Sequence, residues 1–244
     1  MHGFPGATAV SQLRVYDWPA ADGLRGGSPH LHTVSAEGYV VLAGSGVLQT
    51  LSGEGYGEHP LAEGTVLWFT PGTVHRLVTN GDLEILVVMQ NAGLPEAGDA
   101  VLTFPPEVLA DPAAYARAAA LPAADLEAGP RNEEVVAAAA MARRDLAIEG
   151  FLRLRDRVLA DGPVALHELY AAAASLVAGR VAEWKQRWRA GALAQAEATG
   201  AQLEALAAGR CDHLAQSTVR RAESVPPPRR YGMCGRLQTW RPAG

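Results

Sequence analysis

Cysteine is scarce in this chain: Cys211 and Cys234 are the only two in 244 residues. Two thiols cannot build a disulfide framework or a cysteine-only zinc site. No apolar run reaches the roughly 18 residues that a membrane span requires. Positive charge is not in excess either. Lys plus Arg number 21 against 26 Asp plus Glu, a formal charge of −5, and the isoelectric point is near 5.8. That balance lacks the basic footprint of a general nucleic-acid binder. The start, Met1-His2-Gly3-Phe4-Pro5, has neither the basic nor the apolar part of a secretory signal, so a reducing cytoplasm is the expected location. No internal repeat and no helix-turn-helix signature is visible. What is present is 48% hydrophobic and 19% charged residues, enough apolar surface to offset the ordering entropy of a folded chain.

Composition changes near residue 108. Before it the chain is rich in Gly, Val, Thr and Leu, broken by turn residues; after it alanine dominates. The first part reads as strands over 12–16, 30–33, 38–43, 46–51, 66–69, 74–79 and 83–90. Residues 52–57 read as a loop. Asn80-Gly81 between two apolar runs reads as a hairpin turn, because both residues tolerate positive φ. So many short strands suggest a closed barrel or a sandwich. The second part reads as helices: 111–120 with Asp111 as cap and Pro112 at its first turn, a long amphipathic stretch over 133–159, then 164–188 and 191–208, stopped by Gly209. Pro226-Pro227-Pro228 ends helical structure, and 231–240 reads as a last strand or an ordered arm.

Three of the seven histidines form a pattern. His30-Leu31-His32 puts two imidazoles on one face of a strand, because side chains alternate. Glu37 follows across the turn Val34-Ser35-Ala36, where its carboxylate can fold back toward them. His75, after Pro71-Gly72, comes from a distant strand. Three imidazole nitrogens and one carboxylate oxygen suit a divalent ion such as Fe, Mn, Ni, Co or Zn.

These residues resemble the cupin superfamily. Gly27-Ser28-Pro29-His30-Leu31-His32, then Glu37 and Gly44, is similar to its first motif; Gly64, Pro71-Gly72-Thr73-Val74-His75 and Asn80 are similar to its second. Spacings depart by single residues at the glycine before His30, at Pro71-Gly72 and at Asn80, and leave the ligand positions untouched. The resemblance covers about 20–92. It implies a cupin-type β-barrel (jelly roll) at 1–108; with the helical pattern that follows the composition change, the expected fold is α+β, the barrel followed by an α-helical extension at 109–218 and a tail at 219–244. It implies one divalent metal, with iron favoured, held by His30, His32, Glu37 and His75. It does not select a reaction, because the family spans several chemistries.

Alternation from Glu37 and His75 places Tyr39, Val41 and Leu77 on the inner face. One register of the following strand adds Leu86 and Val88, the other Ile85 and Val87. Gln49, Trp68, Phe69 and Met89 are further wall candidates. No catalytic residue beyond the metal ligands is indicated; Glu84, Glu58 and His59 are the visible bases. An apolar cavity around a metal favours a dioxygenase acting on a small molecule. A metal-dependent sugar or sugar-phosphate isomerase or epimerase is the alternative, and a non-catalytic small-molecule sensor a third. The expected partners are a small-molecule substrate and a second copy in a homodimer, with neither nucleic acid nor membrane. Trp184 and Trp188 read as a packing stripe. The segment 229–236, rich in arginine, fits a pocket cap, an anion site or a docking arm equally, and the sequence does not select among them.

Overall fold

The structure, a computed structural model, describes residues 4–122 and 130–242. Its strands are β1 (Ala9–Val15), β2 (His30–His32), β3 (Glu37–Ala43), β4 (Ser45–Ser52), β5 (Gly55–Ala62), β6 (Val66–Phe69), β7 (Val74–Thr79), β8 (Glu84–Met89), β9 (Ala100–Leu102), β10 (Ala222–Ser224), β11 (Arg230–Tyr231) and β12 (Gly235–Pro242). They form two antiparallel sheets. One runs β10-β12-β1-β8-β3-β6, with β11 on β12; the other runs β5-β4-β7-β2-β9.

Alternation decides what lies between the sheets. On β3, Glu37, Tyr39 and Val41 are buried while Leu42 is exposed. On β8 the buried set is Ile85, Val87 and Met89, which settles that strand's register. These residues meet Leu48, Leu61 and Leu77 of the opposite sheet in one apolar core. Every residue of β2 and β7 is buried, as expected for strands covered on both faces. Leu77 joins the inner core, whereas Leu31 and Val74 turn outward into a second one.

The second core is made by the helices. These are α1 (Pro106–Leu109), α2 (Pro112–Ala119), α3 (Pro130–Asp161), α4 (His167–Val177), α5 (Val181–Trp188) and α6 (Ala194–Ala207). Asp111 caps α2 by accepting the Ala113 N–H at 2.8 Å. Ala147, Phe151 and Val158 of α3 and Leu169, Ala173 and Val177 of α4 pack with Leu31, Leu51, Val74, Val101, Leu102 and Phe104. The five-stranded sheet is thus roofed by helix. The approach is close at Gly150, where a Cβ would lie 2.1 Å from the Thr103 carbonyl oxygen. Arg144, 1% exposed, reaches from α3 to the carbonyls of Trp18 (2.6 Å) and Pro19 (2.9 Å). It fixes the loop that leads to β2. Trp184 belongs to this core, while Trp188 is partly exposed.

Several sequence expectations are corrected. Asn80-Gly81 is not a hairpin turn: β7 and β8 lie in different sheets, and 80–83 crosses between them. The tolerance of positive φ is used there, at Gly81 (φ 120) and Asp82 (φ 51), but for a crossover. The loop expected at 52–57 shrinks to a turn at 53–54: Ser52 ends β4 and 55–57 begin β5, paired with β4 from Ser45↔Ala62 to Ser52↔Gly55. As an edge strand β5 tolerates Pro60 and the glycine or polar positions Gly55, Gly57, Glu58 and His59, which mask its pattern. The three-residue β9 carries too little periodicity to read. No break occurs near Gly191: a wider π-type turn over Arg189–Leu193 joins α5 to α6. Gly191 meets nothing there, so only its weak helix propensity opposes continuity. Residues 231–240 include Tyr231 of β11 and most of β12, and β12 pairs with β1 through Ser11↔Thr239 to Val15↔Gly235. The end of the chain therefore completes the first sheet.

Candidate metal centre

Four buried side chains converge between the sheets. His30 and His32 project from β2, Glu37 from the start of β3 and His75 from β7, where His30 and His75 are paired across the strands. One potential ligand atom from each lies within 4.8 Å of all the others. Glu37 Oε2 is 3.3 Å from His32 Nε2 and 3.2 Å from His75 Nε2.

The ring orientations have a common logic. Each Nδ1 is engaged by an outward acceptor: the Ser28 carbonyl for His30 (2.9 Å), Asp99 Oδ1 for His32 (2.7 Å) and the Thr73 carbonyl for His75 (3.1 Å). This fixes the tautomer that leaves Nε2 available as a ligand. Glu37 Oε2 and His75 Nε2 are buried and lack a hydrogen-bond partner. Buried polar atoms normally have partners, so an inward-facing orphaned pair fits a site built for a cation. The donor set, three imidazoles and a carboxylate, matches a divalent transition ion. Among the described residues no other such cluster occurs.

Electrostatics separates the ligands. Burial and the neighbouring imidazoles of His75 and His32 hold His30 well below its ordinary range. Burial would raise Glu37, but its contacts with His32 and His75 keep it well below. Burial would depress His32; its hydrogen bond to Asp99 and its charge contact with Glu37 outweigh it and push that imidazole up to about 10. Without metal His32 carries an extra proton at neutral pH, and metal binding must release it. Affinity for Co²⁺ is therefore expected to rise between roughly pH 6 and 8 by up to about tenfold per unit, with about one proton released per ion. Titrations in weakly and strongly buffered solution measure both quantities. A flat affinity with no proton release would contradict the assignment of that proton to His32.

The wall candidates divide. Tyr39 (1% exposed), Leu77 and Met89 line the inner core. The Tyr39 hydroxyl is buried without a partner, and burial together with the Glu37 carboxylate holds its proton firmly. Trp68 is 76% exposed and lies outside; its neighbour Phe69 packs at a tilt against His75 with ring centroids 4.4 Å apart. Gln49 is buried but shares a face with Leu51 and Arg76, away from the ligands, and donates to Glu58 at 3.1 Å. His59 sits at the exposed edge, its Nε2 3.0 Å from Thr50 Oγ1, and Thr50 lies opposite His75. Glu84 is paired with Arg229 at 2.7 Å.

Two contributors escape sequence reasoning. Asp99, fully buried, orients His32 from 67 residues away. Cys234 places its Sγ 4.0 Å from His30 Nδ1 across 204 residues. Neither stands in a pattern that alternation or spacing could connect to the histidines.

Two facing antiparallel sheets with an internal three-histidine, one-carboxylate set define a small barrel built around a possible metal site. A family model described as Cupin domain matches residues 21–89. The N-terminal region of the chain is a cupin domain, and a helical region follows it. Among solved structures, Pac13 from Streptomyces, described as a nucleoside dehydratase, is 18% identical with a TM-score of 0.30, over 40% of this chain and 69% of its own. A sugar phosphate isomerase from a cupin superfamily, from Silicibacter pomeroyi, is 25% identical with a TM-score of 0.28, over 34% of this chain and 50% of its own. A Klebsiella pneumoniae protein with a double-stranded β-helix domain is 16% identical with a TM-score of 0.28, over 34% of this chain and 66% of its own. A search of curated proteins gives no match. No helix among the described residues is long and apolar enough to cross a membrane.

Proposed function

We propose that this protein is a metal-dependent enzyme acting on a small organic molecule, with chemistry of the dioxygenase type. His30, His32, Glu37 and His75 would hold the ion. When bound, a redox-active ion such as iron supplies the one-electron steps that let dioxygen react with an organic substrate. One observation carries the choice of reaction. Among the described residues the buried carboxylates are Glu37 and Asp99, and both already engage the histidines. No buried base is left to carry a proton between neighbouring carbons, as an isomerase requires. The chain's own walls instead exclude water: Phe69 covers His75, Met89 lies opposite Glu37, and Leu77 closes the inner layer. The unpartnered Tyr39 hydroxyl would donate a hydrogen bond to a bound substrate oxygen; its burial beside Glu37 supports that reading. Both cysteines are free, which fits a reducing, cytoplasmic setting.

One observation favours the alternative, a metal-dependent sugar or sugar-phosphate isomerase or epimerase. His59 is a candidate base at the rim, tied to Thr50 beside His75. Oxygen uptake separates the readings. Fe²⁺-loaded protein with a panel of small phenols, thiols and organic acids is expected to consume oxygen in step with substrate loss. Anaerobic interconversion of aldose and ketose phosphates, abolished by His59→Ala, would select the isomerase reading. Ligand binding with no turnover in either assay would select the sensor.

A further inference from the structure

The contact of Cys234 with His30 belongs to a larger docking of the arginine-rich tail against the metal ligands. Before β12 the chain passes under β2. Gly232 presents its carbonyl to the Tyr16 hydroxyl (3.0 Å) and to Arg143 Nη2 of α3 (2.7 Å). The Met233 carbonyl accepts the Ser28 N–H at 2.9 Å, and the Cys234 carbonyl accepts the Tyr16 N–H at 3.1 Å. The Cys234 thiol, 6% exposed, lies 3.9 Å from the Ser28 carbonyl oxygen and 4.0 Å from His30 Nδ1. That same carbonyl accepts from His30 Nδ1 at 2.9 Å. Ser28 is therefore gripped by the tail through its N–H and grips the His30 ring through its C=O.

The sequence is shaped for this contact. A Cβ on Gly27 would lie 2.4 Å from the Cys234 Cα, and one on Gly235 would lie 2.0 Å from the Arg14 carbonyl oxygen. Both are backbone atoms that cannot swing aside, so only glycine lets the segments meet. Further along, Arg236 pairs with Glu133 of α3 at 2.6 Å and lies over the Tyr231 ring at 3.9 Å. One continuous set of contacts runs from α3 through the tail to His30.

We propose that the C-terminal tail is a wall of the metal centre, that Met233 and Cys234 are positioning residues for His30, and that tail docking and metal binding are thermodynamically coupled. This rests on the metal-binding reading above. Coupling of this kind is reciprocal: a docked tail strengthens metal binding, and bound metal strengthens tail docking.

The experiment uses Co²⁺ as the probe and the full chain. Gly27→Ala forces the tail away from Ser28 and is expected to weaken Co²⁺ binding at least about tenfold, with the far-ultraviolet circular dichroism of the sheets retained. The reciprocal measurement needs no variant. In the wild-type chain, Co²⁺ is expected to slow amide hydrogen exchange across 235–241 at least about tenfold relative to the β4–β5 hairpin. Unchanged Co²⁺ affinity in Gly27→Ala, with tail exchange indifferent to Co²⁺ in a wild-type chain that binds it, overturns the coupling and leaves the metal centre standing. Failure of the wild-type chain to bind Co²⁺ overturns the metal reading and this inference together. If Gly27→Ala does not fold, the wild-type exchange measurement decides alone.

Discussion

Replacing His75 with alanine is expected to abolish stoichiometric metal in the purified protein while leaving the barrel folded. His75 is fully buried, and its Nε2 has no hydrogen-bond partner to fall back on. Without it, Glu37 keeps its contact with His32 but loses the one with His75, and His30 loses the imidazole paired with it across the strands. Loss of an outer partner of a ligand typically costs about 10–100-fold in metal affinity, so loss of a ligand itself should exceed that. The fold should survive because β7 is held on both sides, by Val74 under the helices and by Leu77 in the inner core. The cavity left by the imidazole destabilises, but removing an orphaned buried polar group offsets part of that cost. Elemental analysis with circular dichroism checks both halves. Unchanged metal content in a folded variant would remove His75 from the ligand set.

Ending the chain after residue 108 should have an equally large effect, on solubility rather than chemistry. It strips α3 and α4 from the five-stranded sheet and bares Leu31, Leu51, Val74, Val101, Leu102 and Phe104. It also removes β12 and leaves the outer edge of β1 unpaired. A contiguous apolar face beside a bare strand edge is a strong aggregation hazard. The fragment should elute as aggregate, or bind a hydrophobic dye strongly, where the full chain does neither. A soluble, monomeric fragment that binds no dye would contradict the helical roof.

The ligand set was legible because it obeys short-range rules. His30 and His32 share a strand face, and Glu37 sets the alternation that also buries Tyr39 and Val41. His75 stood out through the resemblance of 64–80 to a known motif rather than through periodicity. What stayed hidden depends on contacts between distant segments. Asp99 and Cys234 act on His32 and His30 through folding alone, and nothing local marks either residue. Asn80-Gly81 shows the limit from the other side: positive φ falls on Gly81 and on Asp82 rather than Asn80, and whether a turn joins partners or crosses between sheets is set by where β7 and β8 find their neighbours. Trp68 and Phe69 are adjacent and equally apolar by sequence. Only the register of β6 against β3, with Phe69 opposite Glu37, decides which one faces the histidines.

X-ray absorption on Zn²⁺-loaded wild-type protein tests the central claim most directly. His30 and His32 from one strand and the distant His75, with Glu37, should give an equimolar ion whose spectrum shows multiple scattering from three imidazole rings at about 2.0–2.1 Å and one carboxylate oxygen at about 2.0–2.2 Å. An ion bound with fewer than three imidazoles, or no equimolar ion at all, would contradict the convergence of His30, His32, Glu37 and His75 on one metal.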